Sequence, residues 1–464
     1  MGRGALGRWW RGLRTPPIPA ARPTVPALAM VMVLLGACAV PPSTPAVEPT
    51  TTIPLATLAP TIAPTSAPSS TPLLAPTAPP TAEPSPSPEP TATAAPAEAA
   101  TSAPVATVDP ALAARLQAIL DDLVADGTIP GAVLSVTIPG QGVWNGASGV
   151  SDRAAGTAMT TDTRLRIASI SKVFTAVVVL QLAEEGVISL DDPMAKWLPD
   201  LVPAGERITV RNLLQHTSGL YDYLEDRSYV SKVYSQPDRV FTSRELVEYA
   251  ASKPALFKPG AKGGWDYSST NFVILGMIVE AATGNTLADE MRTRIFTPLE
   301  LSSTYFVPDE AVEGVAAHGY SGSTDQSAAA MSFAFATANI VSRPDDVRRF
   351  AEALFGGELL QPAMRDQMLQ CVNGKGQYKM PALEYGLGVM RNKLAVGAGA
   401  DGQARSDELK TVMGHIGGFG GFRSAVWHAP ATGITIALGE NQGATDPNIL
   451  ATRVFDAVLA GIGK

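Results

Sequence analysis

Arg166-Ile167-Ala168-Ser169-Ile170-Ser171-Lys172-Val173-Phe174-Thr175-Ala176-Val177-Val178-Val179-Leu180-Gln181-Leu182-Ala183-Glu184-Glu185-Gly186 is the stretch on which the reading of this chain turns. Its pattern predicts a helix from Ser169 to Glu185, ended by the glycine. The centre, Phe174 to Leu182, is apolar nearly all round, which marks a buried helix rather than a surface one. Ser169 and Lys172 stand three residues apart and so share a face. Burial drives a lysine toward its neutral form, and a neutral lysine can take a serine proton. A helix N-terminus at Ser169 also favours negative charge on an attacked carbonyl. Ser169-Ile170-Ser171-Lys172 is the only Ser-x-x-Lys in the chain. An N-cap serine beside a surface lysine is the plainer reading of four such residues.

Outward from this helix the sequence reads as strands at both ends and helices between. Asp109-Pro110 is an N-cap followed by a first-turn proline, and Leu112, Leu116, Ile119, Leu120 and Leu123 recur at helical spacing. Ala132–Ile138 and Val143–Val150 read as neighbouring strands. Helices are expected at Val210–Gln215, Arg244–Ser252, Thr270–Thr283 and Pro344–Leu354. Strands return at Gly421–His428 and Ile434–Gly439, and a closing helix spans Pro447–Ala460. The fold class is therefore α+β: an antiparallel sheet built from both ends of the domain and flanked by helices, with an all-helical lobe from the middle. The active site is expected between the lobes.

Ahead of this domain lies a different kind of sequence. Arg3, Arg8, Arg11, Arg14 and Arg22 precede a short apolar run, Ala27–Leu35, that ends in Leu35-Gly36-Ala37-Cys38. This reads as an export signal (residues 1–38) whose Cys38 becomes a lipidated N-terminus, the alternative being an ordinary signal cut near Ala39. Residues 39–108 are almost entirely Pro, Thr, Ala and Ser, a composition that builds no core and reads as a disordered linker. The domain occupies residues 109–464. The expected partners are a lipid membrane, through Cys38, and a small-molecule or peptide substrate. The expected location is the membrane surface facing the periplasm or cell exterior.

Composition excludes several classes. The 464 residues are 45% hydrophobic and 17% charged with a net charge of −8, which argues against a nucleic-acid binder. Two cysteines, Cys38 and Cys371, leave no disulfide framework and no cysteine metal site. Four histidines, mostly far apart in sequence, give no metal-binding spacing. No metal or cofactor is expected.

Two further elements carry chemistry. Trp265-Asp266-Tyr267-Ser268-Ser269 precedes the helix at Thr270. A tyrosine here can project its hydroxyl into a cleft, and a cation such as Lys172 nearby favours phenolate and makes it a base. Core packing for Tyr267 and helix capping for Ser269 are the plainer alternatives. His415-Ile416-Gly417-Gly418 precedes another strand. Glycines allow a substrate to approach a strand edge, and the backbone N–H of Gly418 can join that of Ser169 in an oxyanion hole. His415 can orient other groups or bind a substrate carboxylate, unless the run is only a glycine-rich turn.

In this order the three elements resemble those of the serine beta-lactamase-like family, which includes class C beta-lactamases, D-Ala-D-Ala carboxypeptidases, D-aminopeptidases and esterases. Leu213-Leu214-Gln215-His216-Thr217-Ser218-Gly219-Leu220, Phe257-Lys258-Pro259-Gly260 and Tyr385-Gly386-Leu387-Gly388 strengthen the likeness, which runs from about Leu112 to the C-terminus. The resemblance implies acylation of Ser169 by an amide, lactam or ester, then hydrolysis by water. It assigns Lys172 as general base, Tyr267 as general base or acid, and Ser269, His415, Gly417 and Gly418 to substrate binding. Peptidoglycan stem peptides or related D-amino-acid amides are the leading substrates it implies. An esterase or beta-lactamase of the same family, and a non-hydrolytic wall-binding or sensor module, are the alternatives. Two positions depart from the pattern. Ser269 stands where the family usually has Asn, and His415 stands where class C beta-lactamases have Lys, which turns the expectation away from beta-lactamase. Ala336-Thr337-Ala338-Asn339-Ile340-Val341-Ser342 also replaces a usual Gly-Gly pair. His216 belongs to a structural loop and is not read as a base.

Overall fold

The structure, a computed structural model, describes residues 107–464. The basic leader, Cys38 and the Pro-rich stretch as far as residue 106 lie outside the described residues. Of the α-helices among the described residues, these frame the domain: α1 (Pro110–Val124), α2 (Ser171–Glu184), α3 (Val210–Leu214), α4 (Arg227–Ser235), α5 (Ser243–Ala251), α6 (Ser269–Thr283), α7 (Pro344–Gly356) and α8 (Pro447–Gly461). The Asp109 side chain accepts the N–H groups of Ala111 and Leu112 at 2.8 and 2.9 Å. Two donors that α1 cannot satisfy internally are thereby satisfied.

Nine strands form the main sheet: β1 (Gly131–Ile138), β2 (Gly142–Asp152), β3 (Thr157–Ala158), β4 (Val372–Asn373), β5 (Glu384–Tyr385), β6 (Met390–Lys393), β7 (Thr411–Phe419), β8 (Phe422–Ala429) and β9 (Ile434–Glu440). Their order is β3-β2-β1-β9-β8-β7-β6-β5-β4. Every neighbouring pair is antiparallel. The two ends of the chain meet where β1 pairs with β9, Leu134 opposite Leu438.

Alternation along β1 sorts its side chains between two layers. Ala132, Leu134, Val136 and Ile138 join the core made with α1 and α8. Ser135 and Thr137 point the other way, to α7, where Arg348 donates to both hydroxyls at 2.9 and 3.1 Å. The α7 face carries the helical lobe. α2 and α6 are buried along most of their length. Phe174 of α2 stacks on Phe350 of α7, with ring centres 3.6 Å apart, and meets Phe296 edge-on at 5.9 Å. One apolar core runs from these helices to Val426 and Ala437 of the sheet.

Two local expectations are corrected. Ser169 does not begin the α-helix. It sits in a 3₁₀ turn, Ala168–Ile170, and α2 starts at Ser171. The break lies at Ala168, whose φ of 50° is left-handed, a conformation that costs a non-glycine residue about 1 kcal/mol. The His415 motif is not a turn either but the middle of β7. Glycines at 414, 417 and 418 hide the alternation that marks a strand.

Candidate active site

Ser169 is half-buried and Lys172 fully buried. The Lys172 Nζ donates to Ser169 Oγ at 3.1 Å and to the backbone carbonyl of Thr337, also at 3.1 Å. Burial pushes its ammonium down from the ordinary 10.5 to about 7, with the Asp222 carboxylate pulling the other way. A large share of Lys172 is therefore neutral near pH 7, and the lone pair is within reach of the serine proton. Thr337 answers one departure from the family pattern. In the segment that replaces the usual Gly-Gly, a backbone carbonyl holds the lysine. Ser269 is buried and lines the cleft, but it is not the cap of α6. That position belongs to Ser268, whose side chain makes no cap bond.

Tyr267 lies just before α6. Lys172 Nζ stands 5.1 Å from the centre of its ring, and the residue lines the cleft with Ser169. Burial raises the phenol well above its ordinary value. A hydrogen bond with Ser169 is the interaction that eases ionisation most, but it does not offset the desolvation. The expectation of a resting phenolate is thus corrected: desolvation of the phenol outweighs the pull of a half-neutral lysine. Tyr267 rests protonated, suited to giving or relaying a proton. His216 supports it from behind, ring centres 4.3 Å apart. The Nδ1 of His216 meets the N–H of Ser268 and the Nδ2 of Asn271, both at 3.1 Å, and Ser218 Oγ bonds the Oδ1 of Asn271 at 2.6 Å. Desolvation holds His216 neutral, so its place is structural.

The strand β7 supplies the opposite wall. It pairs with β8 from Met413 to Phe419 but with β6 only from Thr411 to Gly414. From His415 onward its second edge has no ladder partner among the described residues, and His415 to Phe419 line the cleft. Gly417 has no room for a side chain. A Cβ there would stand 2.3 Å from both the Ile167 carbonyl and Ser424 Oγ. The same Ser424 hydroxyl donates to Ile167 at 2.7 Å and ties the sheet to the turn that carries Ser169.

Of the two roles the sequence left open for His415, the geometry favours the orienting one. Its ring is fully buried, Nδ1 bonds the Ile416 carbonyl at 2.6 Å, and Nε2 meets the Tyr385 hydroxyl at 3.1 Å. Burial, reinforced by Lys172, pushes its pKa down to about 3. A neutral imidazole with both nitrogens engaged offers a substrate carboxylate no positive charge. It can orient neighbours, with Tyr267 6.1 Å away between ring centres.

The cleft, about 320 Å³, also holds residues that the sequence did not single out: Asp222, Glu225, Tyr234, Tyr378 and Arg423. Burial pushes the Asp222 carboxyl up to about 6 and that of Glu225 to about 7. A signal for Asp222 existed in the sequence, a carboxylate inside the apolar run Leu220–Leu224, but no spacing rule ties it to Lys172. Thr337 and Tyr385 carried no chemical signature at all, since one acts through its backbone and the other through a histidine.

Residues 116–459 match the family described as Beta-lactamase. The chain is 37% identical to esterase EstB of Burkholderia gladioli over 209 residues, 43% of this chain and 53% of that protein. It spans about half the length of the first curated relatives it matches. The crystal structure of a D-stereospecific amidohydrolase from Streptomyces sp. superposes with a TM-score of 0.63 at 34% identity, covering 75% of this chain and 98% of that one. The D-amino acid amidase from Ochrobactrum anthropi SV3, solved with L-phenylalanine, gives 0.66 at 29% identity, over 76% and 98%.

Proposed function

The chain belongs to the Beta-lactamase family, and from that membership we propose a serine hydrolase that acylates Ser169 and releases the product with water, acting on D-amino-acid amides or on peptides related to peptidoglycan stems. The observation that carries this is the buried pair: Lys172 Nζ at 3.1 Å from Ser169 Oγ, with its ammonium pushed down to about 7. Neutral Lys172 takes the Ser169 proton as Oγ attacks the carbonyl. The oxyanion forms against the free edge of β7, where backbone N–H groups of Ser169 and Gly418 stabilise it. Tyr267 passes a proton to the departing amine. Water then attacks the ester by the reverse route. The Streptomyces and Ochrobactrum neighbours support an amide substrate.

Intact-mass analysis after exposure to a beta-lactam and to a phenyl ester tests the proposal. A single acyl adduct mapped to Ser169, absent in Ser169→Ala, is the expected result. No adduct with either reagent would refute it. The EstB similarity supports a second reading, an esterase. A kcat/KM on nitrophenyl esters far above that on D-Ala-D-Ala peptides would favour it.

The same proposal includes export and anchoring: lipidation at Cys38, a Pro-rich spacer, and a catalytic domain beyond the membrane. The basic leader, its short apolar run and Leu35-Gly36-Ala37-Cys38 support it. Incorporation of labelled palmitate that is lost in Cys38→Ser is expected, and equal labelling of both proteins would sink this part.

A further inference from the structure

A second cavity, about 240 Å³, has Arg164, Arg166 and His318 among its lining residues. It shares no lining residue with the cleft around Ser169. Strand register builds its walls. Arg166 pairs with Val341 where Leu165–Arg166 lies antiparallel to Ile340–Ser342, and Arg164 bridges to Ala316. Side chains two apart on a strand share a face, roughly 7 Å from one another. Arg164 and Arg166 therefore stand side by side at the cavity, while Leu165 turns away into an apolar cluster with Val133 and Phe422.

Buried guanidinium groups are ordinarily matched by carboxylates. Here Arg164 donates to the Asp162 carbonyl and to Ser303 Oγ, both at 3.0 Å, and Arg166 to the Ser327 carbonyl. All three acceptors are neutral. Arg164 Nε and Arg166 Nη1 are buried with no acceptor at all. Among the described residues, none that lines the cavity is acidic. Two neighbouring carboxylates are committed elsewhere: Asp162 to Arg343 at 3.0 Å, and Asp325 to His318 and the Ser327 N–H, each at 2.7 Å. Burial lowers the Arg166 guanidinium to about 10, so it keeps its charge at neutral pH. An anion supplies what the pair lacks, since one carboxylate can accept from both groups. The remaining wall is largely apolar, with Val307, Val312, Ala317, Met331 and Val341, and suits an alkyl chain better than a bare inorganic ion. The space equals about eight waters at ~30 Å³ each, enough for a short chain. We infer that Arg164 and Arg166 form a binding site for a small aliphatic carboxylate, separate from the Ser169 cleft. The site does not depend on acylation of Ser169.

Isothermal titration of the full chain with sodium butyrate, inorganic phosphate and sodium chloride, at matched ionic strength, tests the site. One butyrate is expected to bind with a Kd of about 1 mM or below, at least about fivefold tighter than phosphate. Arg164→Gln should weaken butyrate at least about tenfold, and Arg164→Lys should recover part of that loss. Melting curves in sodium chloride alone show which variants are folded. Butyrate binding no tighter than chloride in the wild type overturns the site without any variant. Unchanged affinity in either folded Arg164→Gln or a protein with Arg166→Gln also overturns it, because the anion then sits elsewhere, the Ser169 cleft included. Phosphate bound as tightly as butyrate overturns the choice of an aliphatic carboxylate.

Discussion

Replacing Lys172 with Met should abolish activity and, in acid, stabilise the protein. The ammonium is pushed from 10.5 to about 7 in the fold, which corresponds to about 5 kcal/mol against the charged form. Because the folded value lies below the unfolded one, that cost is fully present below pH 7. It fades as pH rises from 7 toward 10.5 and is absent above. Methionine fills nearly the same volume, so little cavity cost arises. The substitution strands the Thr337 carbonyl that now accepts from Nζ, at about 1–3 kcal/mol. It also removes the cation that helps Asp222 ionise. With its carboxyl at about 6, Asp222 is mostly protonated at pH 5, where that loss matters little, and mostly ionised at pH 9. The net gain at pH 5 is about 2–4 kcal/mol, and for a chain of this size a Tm rise of roughly 3–6 °C. At pH 9 the gain should vanish or reverse. Thermal unfolding of both proteins at the two pH values, with acyl labelling in parallel, is the assay. A Lys172→Met protein that is less stable than wild type at pH 5 would refute the reasoning, because the lysine would then not be an electrostatic burden on the fold.

Wild-type kcat/KM on a nitrophenyl ester should rise with pH through about 7, because only neutral Lys172 accepts the serine proton; a limb that rises only above pH 9 would contradict the buried-base assignment. Gly417→Ala sets a methyl against the Ile167 carbonyl and Ser424 Oγ. It should cost about 1–3 kcal/mol of stability and slow acylation at least about a hundredfold, read from unfolding curves and beta-lactam labelling rates. Tyr385→Phe removes the hydroxyl that meets the His415 Nε2. It should lower stability by about 1–3 kcal/mol while kcat falls less than about tenfold, and a complete loss of labelling in a folded variant would show a direct chemical role.

Much of the scaffold was legible because local pattern decides it. The Asp109-Pro110 start, the all-round apolar α2 and the strands at both ends follow from capping chemistry and periodicity, and each occurs near where the pattern places it. β7 was hidden because glycines carry no side-chain alternation. They are there because a neighbour leaves no room: the Ile167 carbonyl fills the space of a Gly417 Cβ. The site divides along the same line. Ser169 and Lys172 are three residues apart, so one helical turn brings them together wherever the helix lies. The choice between the two roles open to His415 depended on packing that sequence does not display, which holds its ring between the Ile416 carbonyl and Tyr385.

By itself, the sequence determined that Ser169 and Lys172 would meet at the start of a buried helix of an α+β domain, because periodicity is a short-range property. Only the tertiary structure decided the protonation states around them. The neutral lysine, the protonated Tyr267 and the raised Asp222 and Glu225 carboxyls are consequences of how much water the fold removes from each group. Desolvation and long-range charge depend on neighbours more than a hundred residues away, such as Thr337 beside Lys172, and no local spacing encodes them.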